Sequence, residues 1–402
     1  MTPSLSSRLS PEIKQYLIIT GNYWSFTLTD GALRMLVVLY FHQLGYSPLA
    51  IASLFLFYEF FGVVTNLLGG WLGARLGLNK TMNIGLFLQI VAVSMLALDE
   101  QLLSIAYVMV AQALSGIAKD LNKMSAKSAI KLLVPKDQDS TLYKWVAILT
   151  GSKNALKGVG FFLGGMLLTL LGFQGALWFM AAMLTITWLM SLLLLTQDLG
   201  KKKNKPKFSE LLSKSKQLNL LAAARMCLFA SRDVWFVIAL PVFLASTFGW
   251  DHWWVGGFMA SWVIAYGIVQ ANAPKITKGT ENRFKQALFW VTILSFIPAL
   301  LALGLWLEWQ LKLVIIGGLL IFGAVFAINS SLHSFLIVKI ADSDGVSMDV
   351  GFYYMANAMG RLIGTVLSGL VFQLYGLESC LLVSSAMLVM ASLFTVGLSK
   401  RN

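Results

Sequence analysis

Acidic residues are scarce in this sequence. Eighteen Asp and Glu stand against 31 Lys and Arg in 402 residues, and charged residues of both signs make up only 12%. Two cysteines, Cys227 and Cys380, give no disulfide framework and no metal-ligand spacing. Three histidines (His42, His252 and His333) are scattered along the chain, so no metal or His–acid catalytic cluster is expected, and neither is a cofactor. The polar stretch from Met1 to Gln15 carries Arg8 and Lys14 but lacks the short apolar core of a cleavable signal. No strand-like alternation runs through the chain, which excludes a β-barrel. What remains is apolar: 57% of residues are hydrophobic. Runs of about 20 apolar residues recur from end to end, the signature of a polytopic helical membrane protein.

About twelve spans are expected, centred near Asp30, Phe61, Gln89, Gln112, Val159, Met183, Asp233, Trp262, Leu294, Gly318, Arg361 and Leu388. The net charge of +13 sits mainly in alternate short loops. Lys and Arg cluster at 75–80, 127–144, 201–216, 275–285 and 339, while the intervening loops have almost none. That alternation is the positive-inside pattern and does not point to nucleic acid. It places the basic loops and both termini in the cytoplasm. A lysine-rich segment, 198–217, divides the chain into a bundle of six helices at 1–197 and a second at 218–402. It reads as a linker touching anionic headgroups, with a short surface helix at 208–217. The halves echo each other weakly: Leu28-Thr29-Asp30 and Ser231-Arg232-Asp233 each lie mid-span and each precede a Gly-aromatic turn.

The loop from Gly69 to Lys80 carries Gly70, Leu72, Arg75 and Gly77 in the spacing of the major facilitator loop motif. Ala74 stands where that motif has Asp, which leaves its charge lock in doubt. The run Gly160-Phe-Phe-Leu-Gly-Gly165 resembles the end of an exporter-associated motif, with Phe161 in place of proline. It reads equally as a small-residue packing face. The resemblance implies an all-α fold of two pseudo-symmetric six-helix bundles, with the first, fourth, seventh and tenth helices lining a central path.

Cations interrupt the apolar spans at Arg34, Lys119, Lys123, Lys153, Lys157, Arg225, Arg232 and Arg361. A charge at the bilayer centre costs roughly 2.5–3.5 kcal/mol on insertion scales, so each is expected to face a cavity or a partner. Acids at similar depth are few: Asp30, Glu59, Asp120 and Asp233. The excess points to a mobile anion. The candidate binding set is Arg34, Lys119, Lys123, Lys153, Lys157, Arg232, Arg361, Asn329 and Asn357. The four carboxylates are candidates for proton coupling or gating. Alternatives stay open for several. Asp30 and Arg34, four apart, could form a structural pair. Asp120 could neutralise Lys119 or Lys123. Lys123, Lys127 and Lys153 could snorkel to the interface. Arg232 and Asp233 are adjacent, so their side chains are expected to diverge to separate partners.

Four segments carry a more specific resemblance: GNYWSFTLTDGALRMLVVLYFHQLGYSP (21–48), AQALSGIAKDLNKMSAKSAIKLLVP (111–135), GSKNALKGVGFFLGG (151–165) and RDVWFVIALPVFLAS (232–246). They resemble the organoarsenical efflux permeases (the ArsJ family) of bacterial inner membranes. The resemblance implies export of 1-arseno-3-phosphoglycerate and arsenate resistance. It also implies glyceraldehyde-3-phosphate dehydrogenase as a pathway partner, and no enzymatic activity in the chain itself. Because the cargo has an oxyanion at each end, Arg34 with the four lysines is expected to hold one end and Arg232 with Arg361 the other. An organophosphate or phosphate exchanger needs the same cations. A receptor signalling through the linker is the reading from a different class, and it calls for an appended soluble domain that this sequence does not display.

Overall fold

The computed structural model describes residues 10–46, 54–98, 101, 103–135, 137–195, 199–201, 212, 215–250, 252–278, 282–308 and 310–399. These residues form eleven helical elements: α1 (Pro11–Gln43), α2 (Leu56–Leu76), α3 (Leu78–Leu96), α4 (Ile105–Leu133), α5 (Asp139–Leu194), α6 (Lys216–Phe236), α7 (Ala239–Phe248), α8 (His252–Ile276), α9 (Arg283–Trp306), α10 (Leu311–Ile340) and α11 (Val346–Ser399). The lysine run at 202–211 and most of the expected surface helix at 208–217 lie outside the described residues, as do Asp99 and Glu100.

Two elements are too long for one span. A straight helix of the 56 residues in α5 would reach about 84 Å at 1.5 Å per residue, against a hydrocarbon core of about 30 Å. The backbone leaves the helix at Gly172 (φ 67°, ψ −179°), a conformation open to glycine and strained for other residues. In α11 the same break falls at Gly376 (φ 78°, ψ −176°). A third interruption separates α6 from α7 at Val237 and Ile238. Pro241 explains it, because its ring crowds the Val237 carbonyl and its missing N–H leaves that carbonyl without its helical donor. The amides of Ile238 and Ala239 donate instead to Ser368 Oγ of α11, at 3.3 and 3.1 Å. Asp233 therefore sits three residues before a helix end, whereas the sequence pattern placed it mid-span.

Among the described residues, six stretches are long and apolar enough to cross a membrane: α5, α6 with α7, α8, α9, α10 and α11. By contrast α4 carries Lys119, Asp120, Lys123, Lys127 and Lys131, and it buries Asp120 and Lys127. The outer faces are apolar, with Leu170, Leu193 and Trp306 at 70%, 76% and 76% exposure, as suits contact with lipid chains.

The apolar core has three parts. One is built only from α1–α5 and their connections. Another comes only from α6–α11. The third joins both sets, packing Tyr16, Met124 and Tyr143 with Leu332, Phe335 and Tyr353. It lies at the end that bears Lys131 and Lys339. There Lys339 Nζ meets Asp139 Oδ2 at 2.5 Å and Lys131 Nζ donates to the Lys339 carbonyl at 2.7 Å. The N-terminal and C-terminal helices are thus sealed at one end and keep separate cores at the other.

Glycines make the seal possible. A Cβ on Gly70 would lie 3.1 Å from Gly351 Cα and 3.3 Å from Met348 Cα, and Ser347 Oγ donates to the Gly70 carbonyl at 2.8 Å. Gly70 of the loop motif thus serves close approach of α2 to α11. Gly160 and Gly164 do the same against Gly31 and Ala32 of α1, which favours the packing reading of that run. Gly70→Leu is expected to force this end open. Overpacking of this kind costs about 1–3 kcal/mol, so maleimide labelling of Ser347→Cys should rise about tenfold in that background.

Candidate functional site

Between the separate cores and the sealed end lies a network of charged side chains. It begins on α1. Arg34 Nη2 donates to Glu59 Oε1 of α2 at 3.2 Å, and its guanidinium lies over the Tyr58 ring at 4.8 Å. Asp30, one turn earlier, accepts from the Tyr58 hydroxyl at 2.8 Å. The two groups share a helix face but do not pair with each other. The helical spacing brought them close, and the α2 side chains Tyr58 and Glu59 offered each a better-aligned partner.

Arg361 of α11 joins the same carboxylate. Its Nη2 donates to Glu59 Oε1 at 3.1 Å, while its Nε donates to Asp233 Oδ2 at 3.3 Å. Asp233 also holds Arg232, with Nη2 at 2.5 Å from Oδ1. The expectation that Arg232 and Asp233 diverge is therefore wrong. Asp233 has 1% of its side-chain area exposed and cannot be hydrated, so two guanidiniums converge on it. Nor are the cations in two separate groups, because Glu59 links Arg34 to Arg361.

On α4, Lys123 Nζ meets Asp120 Oδ1 at 2.5 Å and Lys119 Nζ lies 3.9 Å from Oδ2. Lys119 also stands over Tyr58, 3.7 Å from the ring centroid. Lys127 is 3% exposed and donates to the Tyr354 hydroxyl, so it does not snorkel. Lys123 and Lys127 both lie over the Tyr354 ring. Cation–π contacts of this kind contribute about 0.5–2 kcal/mol and leave the positive charge unneutralised.

A polar chain then crosses from α5 to the C-terminal helices. Lys153 Nζ lies 3.4 Å from Asn154 Oδ1, and Asn154 Nδ2 donates to Gln270 Oε1 at 2.6 Å. Gln270 Nε2 donates to Ser330 Oγ at 3.2 Å. Arg225, 3% exposed, donates from Nη1 to Ser330 Oγ at 3.1 Å and from Nε to Asn357 Oδ1 at 2.8 Å. Asn329, by contrast, turns to α9 and donates to the Ala287 carbonyl at 2.8 Å. It stitches two helices together and leaves the binding set.

Charge is unevenly matched. Nine cations are involved: Arg34, Lys119, Lys123, Lys127, Lys153, Lys157, Arg225, Arg232 and Arg361. The three carboxylates in ion pairs serve five of them within 4.0 Å: Glu59 with Arg34 and Arg361, Asp233 with Arg232 and Arg361, and Asp120 with Lys119 and Lys123. Among the described residues, Lys127, Lys153, Lys157 and Arg225 meet no carboxylate. Accessibility also differs. Arg34, Glu59 and Arg361 keep 28%, 31% and 29% of their side-chain area exposed, whereas Asp120 and Asp233 keep 2% and 1%. Asp120 and Asp233 are fixed counterions, and the Arg34–Glu59–Arg361 triad is open to solvent. No group of three or more His, Cys, Asp or Glu that could hold a metal occurs among the described residues.

Sequence reasoning missed Tyr58 and Tyr354, whose rings and hydroxyls hold five of these charged groups. It also left Arg225 outside the binding set, although it placed the residue on a cavity helix. Tyrosines within otherwise apolar spans were the available signal, since a buried hydroxyl needs a partner.

The profile of the Major Facilitator Superfamily matches residues 19–348. No curated protein matches the chain by sequence. Several solved structures share the fold at low identity. The human organic anion transporter MFSD10 (TETRAN) superposes with a TM-score of 0.77 at 16% identity, covering 96% of this chain and 100% of that one. A bacterial homologue of the iron transporter ferroportin, in an outward-facing state, gives 0.74 at 12% identity, covering 98% and 100%. The E. coli fucose:proton symporter FucP gives 0.75 at 10%, covering 97% and 99%. At these identities the likeness establishes the fold alone.

Proposed function

The chain belongs to the major facilitator superfamily, and from that premise we propose that it exports a doubly headed oxyanion, 1-arseno-3-phosphoglycerate, by alternating access. The carrying observation is the charge excess in the interior: nine cations beside four carboxylates, with Lys127, Lys153, Lys157 and Arg225 meeting no carboxylate among the described residues. An anion that arrives and leaves completes such a site. Arg offers forked donors to tetrahedral oxyanions and Lys an adjustable point charge. The identity of the cargo rests on the resemblance of the four sequence segments to the organoarsenical permeases.

The architecture we infer is twelve spans in two six-helix bundles, 1–197 and 218–402, joined by the basic linker 198–217. The breaks at Gly172 and Gly376 support it, since each turns one long helix into two spans. With the lysine-bearing loops in the cytoplasm, the sealed end is the inner one and the conformation faces outward. Arg34, Lys119 and Lys157 approach the cargo from the first bundle, and Arg361 with Arg225 from the second. Asn357 positions Arg225. Asp30, held by Tyr58, is the first carboxylate to test for proton coupling. Coupling is optional for export: an inside-negative potential of 100 mV favours outward movement of each negative charge by about 2.3 kcal/mol.

Expression in an arsenate-sensitive bacterium tests the reading. Tolerance is expected only when glyceraldehyde-3-phosphate dehydrogenase is co-expressed, because the dehydrogenase makes the cargo. Everted vesicles should accumulate enzymatically generated arsenophosphoglycerate. Uptake of glycerol phosphate with no arsenate phenotype would instead identify an organophosphate exchanger.

A further inference from the structure

We propose that Glu59 is a built-in substitute for the cargo, a tethered carboxylate that lets the empty carrier change conformation. This rests on the transport reading above and adds a device to it. Glu59 differs from the other interior acids in two respects. It is accessible, at 31% of its side-chain area, whereas Asp120 and Asp233 are sealed in and Asp30 is 6% exposed. Among the described residues it is also the one interior carboxylate that pairs with cations of both helix sets, Arg34 of α1 and Arg361 of α11. Asp120 pairs only within α4, and Asp233 only with Arg232 and Arg361 of the C-terminal helices.

Both guanidiniums converge on the same oxygen, Oε1, through one Nη2 each. Two arginines brought from opposite helix sets onto one oxygen are placed as they would be around an oxyanion. Lys119 stands on the neighbouring Tyr58 ring, 3.7 Å from its centroid. When the open end closes, Arg34 and Arg361 approach in a shrinking space of low dielectric, where like charges repel far more strongly than in water. A bound anion cancels that repulsion. In the empty carrier Glu59 does so, and an incoming oxyanion takes its place on the arginines. The empty carrier can then return, which permits net export. Without Glu59 the carrier closes only around cargo and becomes an obligatory exchanger.

The test follows the sealed end in the full-length protein. Ser347 is fully buried against α2 and becomes accessible only when that end opens. In a background with Cys227→Ser and Cys380→Ser, Ser347→Cys is labelled with a water-soluble maleimide in proteoliposomes, in gluconate buffer without phosphate. Glu59→Gln should slow labelling about tenfold, and inorganic phosphate or 3-phosphoglycerate should restore it. Glu59→Asp should label at close to the parent rate. Adding Arg34→Gln to Glu59→Gln removes one repelling charge and should also restore labelling. That double variant separates repulsion from simple misfolding. Equal labelling of Glu59→Gln and the parent without added anion overturns the proposal, as does failure of Arg34→Gln to rescue. Slow labelling that Arg34→Gln rescues but phosphate and 3-phosphoglycerate do not would uphold the role of Glu59 and refute the anion-export reading.

Discussion

Arg361→Ala is expected to reduce anion uptake into everted vesicles about 100-fold, since a hydrogen bond to a charged group contributes about 1.5–3 kcal/mol. The loss has two sources. Arg361 is the guanidinium that touches both Glu59 and Asp233, at 3.1 and 3.3 Å. Its removal takes the C-terminal helices' half of the solvent-accessible clamp. It also breaks the ion pair between α11 and α2 and leaves Asp233 with Arg232 alone. Arg361→Lys should give an intermediate rate, because an ammonium keeps the charge but cannot fork between two carboxylates. Uptake should be measured at equal protein in the membrane. Parent-level uptake in Arg361→Ala would remove this residue from the site.

The second large effect concerns stability. Asp233 is 0% exposed and neutralises Arg232 and Arg361 together. Asp233→Ala leaves Arg232 without a carboxylate and Arg361 with Glu59 alone, and breaking a buried pair in this way costs about 3–5 kcal/mol. The expected readout is a sharp fall in the thermal midpoint of the detergent-solubilised protein and lower yield in the membrane. Arg232 is wrapped by Phe229, Phe236 and Phe326, at 4.9–5.9 Å from the guanidinium carbon. Arg232→Met would therefore place an apolar chain among rings. Combined with Asp233→Ala it should recover part of the loss, whereas independent sites would show additive damage. Additivity would show that Arg232 and Asp233 do not act as a pair.

Some of this was legible without coordinates. Apolar runs of about 20 residues named the membrane and the helical class, because a backbone in lipid must satisfy its own hydrogen bonds. The depth of Arg34, Lys119, Lys157 and Arg361 followed from position within those runs. Gly70 was visible as a residue of the loop motif, whereas its close approach to Gly351 came from the packing of α2 on α11. The break before Pro241 was also readable, yet the span pattern passed over it, since hydropathy is blind to a local loss of hydrogen bonds.

Partner choice was not legible. Sequence spacing reports neighbours on one helix, so it suggested Asp30 with Arg34 and could not see Glu59, 25 residues away, or Tyr58 beside it. Lys127 and Tyr354 lie 227 positions apart, and Arg361 and Glu59 lie 302 apart. The sequence by itself determined which charges fall within the apolar runs, their sign and their approximate depth, all of which depend on composition within each span. Lys127 joined the interior set only in the structure. Which cations are matched, which remain for an anion and which carboxylate joins the two sets of helices were decided only when the helices packed, because pairing energies depend on distance and direction between separate elements.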